Sequence, residues 1–334
     1  MNYIGSKRQL SSWIKTQIEK SVTTDLSKAV FCDLFAGTGV VARIFKKDVA
    51  QVIANDLEYF SYVLNRNYIG NSKTIADKER YIEELEHTPL EEGGFIYQNY
   101  CKGSGSGRNY FSDHNGRKID TIRQKIEQWY ANGRIGEDLY YYLLASLLES
   151  ADKVANTASV YGAYLKHLKK TAQKELVLES AEFDCSDNMH EVYNSDSNDL
   201  IKKISGDILY LDPPYNQRQY GFNYHLLNTI AIYDNFIPKG KIGIREYNRS
   251  LYSKKGRVKE AFAELIDNAD FRYIFLSYNN EGLMSQEEIR NIMTKYGRYD
   301  RITCSYPRFK ADKTEKRNHK AEKTLEYLHI LEKT

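Results

Sequence analysis

The stretch "VFCDLFAGTGVVARIF" (residues 30–45) sets the tightest limit on how this chain folds. An apolar run of one strand's length ends near Asp33, turns through Gly37 and Gly39, and gives way to a short helical pattern over 40–47. "AQVIAND" (50–56) is then a second strand that also ends in an acid, Asp56, and "EYFSYVLNRNYI" follows as an amphipathic helix. Strand, helix, strand, helix is the start of a parallel α/β sheet. Glycines where a strand becomes a helix let the backbone approach a ligand, and a helix amino terminus favours negative charge. Gly37-x-Gly39-x-x-Ala42, with Asp56 at the distance of a ribose ligand, fits a dinucleotide fingerprint. S-adenosylmethionine satisfies the same loop, because its carboxylate can use the same backbone donors. The motif alone leaves both cofactors open, as well as a tight turn with no ligand. Asp33 is either a helix-proximal acid or a ligand for a methionine amino group.

The alternation breaks near Gly70. "KGSGSGRNYFSDHNG" (102–116) is a turn-rich loop. Ile119, Ile122, Ile126 and Trp129 mark one face of a helix, and "DLYYYLLASLLESADKV" (138–154) is a second, largely apolar helix. Residues 71–190 therefore form a mostly helical insertion. "DILYLD" (207–212) resumes the sheet, "RYIFLSYN" (272–279) adds a strand, and "LEYLHIL" (325–331) is the last.

"LYLDPPYNQRQY" (209–220) is the second constraint. The chain has five prolines in 334 residues, and two stand together here behind an apolar strand. Proline stiffens a loop and removes backbone donors while leaving the carbonyls free. That suits a particular chemistry. The lone pair of an aromatic amino group is delocalised into its ring, so the group is a poor nucleophile. Two acceptors that draw its N–H bonds toward tetrahedral geometry make it a better one. The Asp212 carboxylate and the Pro213 carbonyl can each accept one N–H, on a backbone fixed by Pro213 and Pro214. Tyr215 can stack on a base that has left the helix. The bland alternative is a strand-ending turn with Tyr215 in the core.

Charge adds a partner class. From Lys239 to Lys259 eight basic residues face Glu246 alone, and from Arg301 to Lys323 eight basic residues face three acidic ones. Such single-sign stretches suit a polyanion better than a solvated surface, which usually mixes signs. Lys254, Lys255, Arg257, Arg308 and Lys310 are the candidate nucleic-acid contacts. The four cysteines are far apart, give no zinc pattern, and read as buried free thiols, so no metal site is expected. None follows a proline, which excludes the Pro-Cys nucleophile of carbon-5 cytosine chemistry. No apolar run reaches membrane-spanning length, and "NYIGSKRQL" after Met1 lacks a signal-peptide core. A cytoplasmic protein without membrane contact is expected.

Four motifs in order, "NYIGSK", "DLFAGTG", "ANDLE" and "DPPY", give a resemblance to the Dam-like, α-group adenine-N(6) DNA methyltransferases. They span Asn2 to Tyr215. The continuation "NQRQYGFNYHLLNTIAIYD" and the tail "SYPRFKADK" resemble a subgroup found with restriction systems. The resemblance implies a Rossmann-like S-adenosylmethionine-dependent methyltransferase fold. The catalytic domain would comprise 1–70 and 191–334, and 71–190 would be an inserted, mostly helical target-recognition domain. It implies S-adenosyl-L-methionine as cofactor, double-stranded DNA as substrate, and a cognate restriction endonuclease as a candidate partner. Position by position, Tyr3 and Lys7 match the residues lining the cofactor pocket. Asp33, Phe35, Gly37 and Gly39 match the methionine loop, and Asp56 the acid on the ribose hydroxyls. Asp196 matches an acid that contacts the cofactor's adenine. Asp212, Pro213, Pro214 and Tyr215 match the catalytic loop. Tyr3 departs from Dam, which has tryptophan there, and the insertion does not resemble Dam's, so no target site carries over. The rival readings are an adenine methyltransferase acting on RNA and a DNA-binding module with a vestigial cofactor pocket. His225 is either a base contact or a core residue, and Asn279 and Asn280 are either base contacts or a turn. Trp129 and Tyr140–Tyr142 read as core.

Overall fold

The computed structural model describes residues 5–307 and 323–334. Tyr3, Arg308 and Lys310 lie outside the described residues, as does the tail from Arg308 to Lys313. The chain divides into two compact units. One contains the described residues of Ser6–Leu57, Ser186–Gln219 and Asn248–Thr334; the other contains Gly5, Glu58–Cys185 and Tyr220–Tyr247.

The first unit carries a sheet of β1 (Val30–Asp33), β2 (Gln51–Asn55), β3 (Glu191–Tyr193), β4 (Ser205–Leu211), β5 (Asp270–Asn279), β6 (Gly297–Pro307) and β7 (Lys323–Lys333). Its order is β3-β2-β1-β4-β5-β7-β6. The five strands from β3 to β5 run parallel. β7 enters antiparallel between β5 and β6. This is a Rossmann-like α/β sheet. Cys32, Leu34, Leu209, Leu211, Ile274 and Leu276 form its apolar centre, packed with the helices Val258–Asn268 and Gln286–Met293. Strands covered on both faces read as apolar runs, which is why β1, β2, β4 and β5 stand out in the sequence. β6 and β3 do not. β6 is an edge strand, "GRYDRITCSYP", that breaks its apolar residues with charge, and β3 is three residues long. Interspersed charge is common on edge strands because it discourages pairing with another chain.

The strand order reverses at β1. From β1 the chain crosses to β2 on one side, while β4 lies against β1 on the other. A reversal of this kind opens a crevice beyond the carboxyl ends of the two strands. Asp33 pairs in register with Tyr210, so Asp33 and Asp212 emerge at the same end of neighbouring strands.

The second unit is helical. Ser112 caps the helix Asp113–Ala131 by accepting from the Asn115 amide at 3.2 Å. That helix turns Ile119, Ile122, Ile126 and Trp129 inward and ends at Gly133, whose φ of 69° suits a left-handed stop. The helix Glu137–Val154 is buried around most of its surface, Tyr140, Tyr141 and Tyr142 included. Trp129 and this tyrosine run are core, as expected. The unit encloses the insertion up to Cys185 and also takes in Glu58–Gly70 and Tyr220–Tyr247. Phe60 and Leu226 share one core cluster, and Asn228 accepts from the Phe60 amide at 2.9 Å. Tyr224, Leu227 and Ile230 are buried in the same cluster.

Asp120 organises this unit. Its carboxylate accepts from the amides of Ile96 and Tyr97, each at 2.8 Å, and from the Tyr233 hydroxyl at 2.5 Å. It thereby caps the helix Phe95–Tyr100, although it lies far along the chain. Asp120→Ala leaves buried donors without acceptors and is expected to cost about 2–4 kcal/mol. A urea midpoint equal to wild type would show that water satisfies these donors as well.

The cysteines need one correction. Cys32 and Cys101 are buried, but Cys185 is exposed and Cys304 is partly so. Cys185 lies in a segment of irregular chain, and Cys304 lies on edge strand β6. Neither position is covered on both sides, so an expected set of four buried thiols reduces to two.

Candidate active site

β1 delivers the first acid. Asp33 is 1% exposed, and its Oδ2 accepts from the Ala42 amide at 3.2 Å, in the helix Val40–Phe45. Its Oδ1 is buried and has no hydrogen-bond partner among the described residues. Burial, then the nearby negative charge of Asp212, raises the Asp33 carboxyl well above its ordinary range. A buried carboxylate oxygen with no donor is costly. An oxygen so placed can accept from a cationic group.

The glycine turn gives the site its shape. Gly37 and Gly39 have φ of 54° and 74°, which residues with a Cβ rarely adopt. Asp56 leaves β2 and accepts from the Gly37 amide at 2.8 Å. Phe35 is half-buried and meets Tyr252 edge-on, with ring centroids 4.9 Å apart. Tyr252 is itself held by a 2.8 Å bond to Asn198. Its position was not legible in sequence, since nothing around it links it to the loop. Asp196 caps the four-residue helix Ser197–Leu200 by accepting from the Asn198 amide at 2.8 Å.

The second acid sits at the end of β4. The Lys7 ammonium lies 2.9 Å from Asp212 Oδ1 and 3.1 Å from Glu326 Oε1. It also bonds the Tyr215 hydroxyl and stands 4.6 Å from the centre of the Tyr215 ring. That hydroxyl lies within hydrogen-bond reach of both Asp212 Oδ1 and Glu326 Oε1, the latter at 3.1 Å, and can donate its one proton to either. Ser277 Oγ donates to the same Glu326 oxygen at 3.2 Å. The Tyr215 ring packs edge-on against Tyr278, and its carbonyl accepts from the Leu283 amide at 3.1 Å. Pro213 is buried, and Pro214 partly so. All contacts of the Asp212 carboxylate with the described residues fall on Oδ1, so Oδ2 remains available. Burial raises the Asp212 carboxyl, opposed by Lys7 and reinforced by Glu326. Burial alone would lower the Lys7 ammonium, but the two carboxylates outweigh it and raise the group.

Asp56, Asp212 and Lys7 all lie close enough to Asp33 to act on its carboxyl, the two acids raising it and the ammonium lowering it. The resemblance places Lys7 in the cofactor pocket; in the structure its ammonium sits directly on Asp212. Glu326 was not anticipated. The one available signal was a carboxylate inside "LEYLHIL", a strand of otherwise apolar rhythm.

Other candidates resolve differently. His225 is fully buried, with Nε2 3.0 Å from the Tyr161 carbonyl, and is a core residue. Asn279 Oδ1 accepts from the Glu281 amide, and the Asn280 amide donates to the Leu325 carbonyl, so both belong to a turn. Lys254, Lys255 and Arg257 are exposed, and Arg257 pairs with Glu260 at 3.2 Å. The basic stretch is less single-minded than its composition. Arg245 is clamped by Asp234 at 2.9 and 3.1 Å, Lys239 meets Glu246, and Lys259 meets Glu288. Among the described residues, no cluster of three or more acidic, histidine or cysteine side chains could hold a metal. No described helix is long and apolar enough to cross a membrane.

A strand-end acid over a glycine turn, beside a stiff D-P-P-Y loop on the neighbouring parallel strand, defines an α/β methyltransferase. The chain belongs to the D12 class N6 adenine-specific DNA methyltransferase family, which its residues 3–292 match. It is an adenine-specific DNA methyltransferase that works with a methyl donor. Over 334 residues, covering both chains completely, it is 63% identical to the Type II methyltransferase M.NlaIII of Neisseria lactamica. It is 40% identical to the Type II methyltransferase M.FokI of Planomicrobium okeanokoites, an alignment covering all of this chain and 53% of that one. It is 37% identical to the Type II methyltransferase M.CviAII of Paramecium bursaria Chlorella virus 1, over 93% of each chain.

Proposed function

We propose that this chain transfers the methyl group of S-adenosyl-L-methionine to the 6-amino nitrogen of a flipped-out adenine in double-stranded DNA, as the modification enzyme of a restriction system. The observation that carries the reading is a pair of carboxylate oxygens, Asp33 Oδ1 and Asp212 Oδ2, left without described partners at the ends of adjacent strands.

Asp33 Oδ1 would take the methionine amino group, a cation suited to a buried acid that has no donor. The turn at Gly37 and Gly39, whose own amides donate to Asp56 Oδ2 and the Ala36 carbonyl, would let the backbone approach its carboxylate, and Asp56 and Phe35 would line the ribose and the ring system, with Tyr252 behind Phe35. Asp196 and Tyr3 keep the roles that the resemblance implies, on the cofactor's adenine and in the amino-terminal wall of its pocket. When bound, the cofactor supplies a methyl group on a positively charged sulfur, open to in-line attack. The protein's part is to aim the nucleophile. Asp212 Oδ2 and the Pro213 carbonyl would each accept one N–H of the adenine amine, drawing its lone pair out of the ring. Pro213 and Pro214 would keep that geometry rigid, and Lys7 would favour the ionised form of Asp212 against the effect of burial. Extruding the base costs a few kcal/mol of stacking and pairing, offset by pocket and phosphate contacts.

The helical insertion 71–190, with the segments packed into its unit, would serve as the target-recognition domain. The relatives' designation as Type II methyltransferases supports a restriction–modification setting, with a cognate endonuclease as partner and a cytoplasmic site of action. Sequencing methylated adenines in DNA from cells expressing this chain tests the whole reading. A single recurrent sequence context supports it, and absence of N6-methyladenine would overturn it.

Lys254, Lys255 and Arg257, with Arg308 and Lys310, would contact phosphate. Removing one phosphate contact lowers the salt slope of binding by about one unit. Replacing Lys254, Lys255 and Arg257 together with alanine should weaken DNA binding and flatten its salt dependence. The choice of site should not change, because phosphate contacts position the protein without reading bases. An unchanged slope would make this stretch a solvated loop.

A further inference from the structure

The catalytic loop is wired to the last-but-one position in the sheet order. We infer that Glu326 of β7 is a positioning residue for methyl transfer: it shares the Lys7 ammonium and the Tyr215 hydroxyl with Asp212, and so keeps Asp212 Oδ2 free and aimed at the amine. This rests on the proposed role of Asp212.

The geometry is specific. Glu326 is 6% exposed, yet one oxygen, Oε1, collects Lys7 at 3.1 Å, the Tyr215 hydroxyl at 3.1 Å and Ser277 at 3.2 Å. Asp212 Oδ1 competes for the first two. A phenol has one proton to donate, so Tyr215 cannot fully serve both acids at once. With Glu326 in place, Asp212 does not have to satisfy Lys7 and Tyr215 alone. The amine can then enter on Oδ2 without drawing the carboxylate out of line. Without Glu326, the ammonium and the hydroxyl both fall to Asp212, pulling it toward Lys7 and weakening it as an acceptor.

The charged and titratable surroundings give the hypothesis a readout that a packing role lacks. Asp212 faces Lys7, Asp33, Tyr210, Tyr215 and Glu326. Glu326 faces Lys7, Tyr210, Tyr215, Ser277 and, from β6, Cys304. The negative charge of Glu326 raises both the Asp212 carboxyl and the Lys7 ammonium. Removing that charge moves both groups the same way, to lower pH. The acid limb of the kcat profile, where Asp212 protonates, and the alkaline limb, where Lys7 loses its proton, should therefore shift down together.

Three variants of the full chain decide the matter: Glu326→Gln, Glu326→Asp and Asp212→Asn. Each is measured for S-adenosylhomocysteine affinity, DNA KM, and kcat against pH. Glu326→Gln should lower kcat by about 10- to 100-fold, the range for losing a charged hydrogen bond. Cofactor-site affinity and DNA KM should hold within about 3-fold, and both limbs should move to lower pH. Glu326→Asp keeps the charge but withdraws it by one methylene, so kcat should fall while the limbs stay near wild type. Wild-type kcat and an unshifted profile in Glu326→Gln would overturn the inference. So would equal losses of kcat in the two Glu326 variants with both profiles unmoved, since that is the mark of packing. If Glu326→Gln does not fold, Glu326→Asp decides: lowered kcat at unchanged KM supports the role, and wild-type kcat refutes it. Asp212→Asn separates the role of Glu326 from the role of the loop itself. Full activity there removes the underlying site reading, whereas an inactive Asp212→Asn beside a wild-type Glu326→Gln removes only the role of Glu326.

Discussion

Asp212→Ala is expected to lower methylation turnover by at least about 100-fold, the usual cost of losing one acceptor that acts in the transition state. The reason lies in the amine. Its lone pair reacts only when its N–H bonds are held by acceptors, and Asp212 Oδ2, which has no partner among the described residues, is the proposed side-chain acceptor at the end of β4. The Pro213 carbonyl alone would hold one N–H and leave the group planar. Binding at the cofactor site should change little, because Asp33, the glycine turn and Asp56 remain. The loss should thus fall on kcat rather than on affinity. Single-turnover methylation with saturating DNA is the measurement, and a folded Asp212→Ala protein with a near-normal rate would sink the assignment.

Asp33→Asn is expected to move two properties in opposite directions. Affinity for S-adenosylmethionine should fall by about 10- to 100-fold, because the variant removes a charged partner for the amino group. The unliganded protein should meanwhile become more stable at neutral pH. The folded protein raises the Asp33 carboxyl above its ordinary value, chiefly through burial. A group raised in this way contributes stability that is complete below its unfolded value, about 3.9 for Asp. That contribution is lost as pH climbs through the folded value. At neutral pH the buried carboxyl, with one oxygen unpartnered among the described residues, is therefore a burden on the unliganded fold, through either its charge or the proton it must hold. Asparagine can keep the bond from the Ala42 amide without that charge. Its melting temperature should exceed wild type at pH 7 and converge with it as pH falls toward 4. A destabilised Asp33→Asn protein with normal cofactor affinity would mean that Asp33 serves the strand–helix junction rather than a ligand. Sites that bind ligands are commonly less stable than they could be.

Much of this site could be read from the chain. β1, β2 and β4 are apolar because both their faces are covered, so their ends, and the acids on those ends, can be numbered without coordinates. The glycine turn was visible because its backbone needs left-handed positions. The Asp212 loop was visible because paired prolines have few uses. Trp129 and the Tyr140–Tyr142 run were rightly assigned to the core, since helical spacing of large apolar groups is a packing signal. The rest depends on pairing between distant segments. β6 hides its strand character behind charges, and β3 is too short to show a pattern. Tyr220–Tyr247 comes directly after the catalytic loop, yet packs with Glu58–Cys185, because its apolar face completes that core.

The amino-acid sequence by itself determined the class of sheet, the methyl-transfer motifs and the two acids that end β1 and β4, because each is a local pattern whose backbone chemistry permits few alternatives. The tertiary structure alone decided how those acids are placed. Asp33 and Asp212 come together only because β1 and β4 are neighbours at the reversal of strand order. Glu326 reaches Lys7 and Tyr215 only because β7 inserts antiparallel beside β5, in the register that pairs Asn279 with Glu326. Which oxygen of Asp212 stays open is a consequence of these non-local pairings. Strand register is set by the packing of whole faces, so no short stretch of sequence carries it.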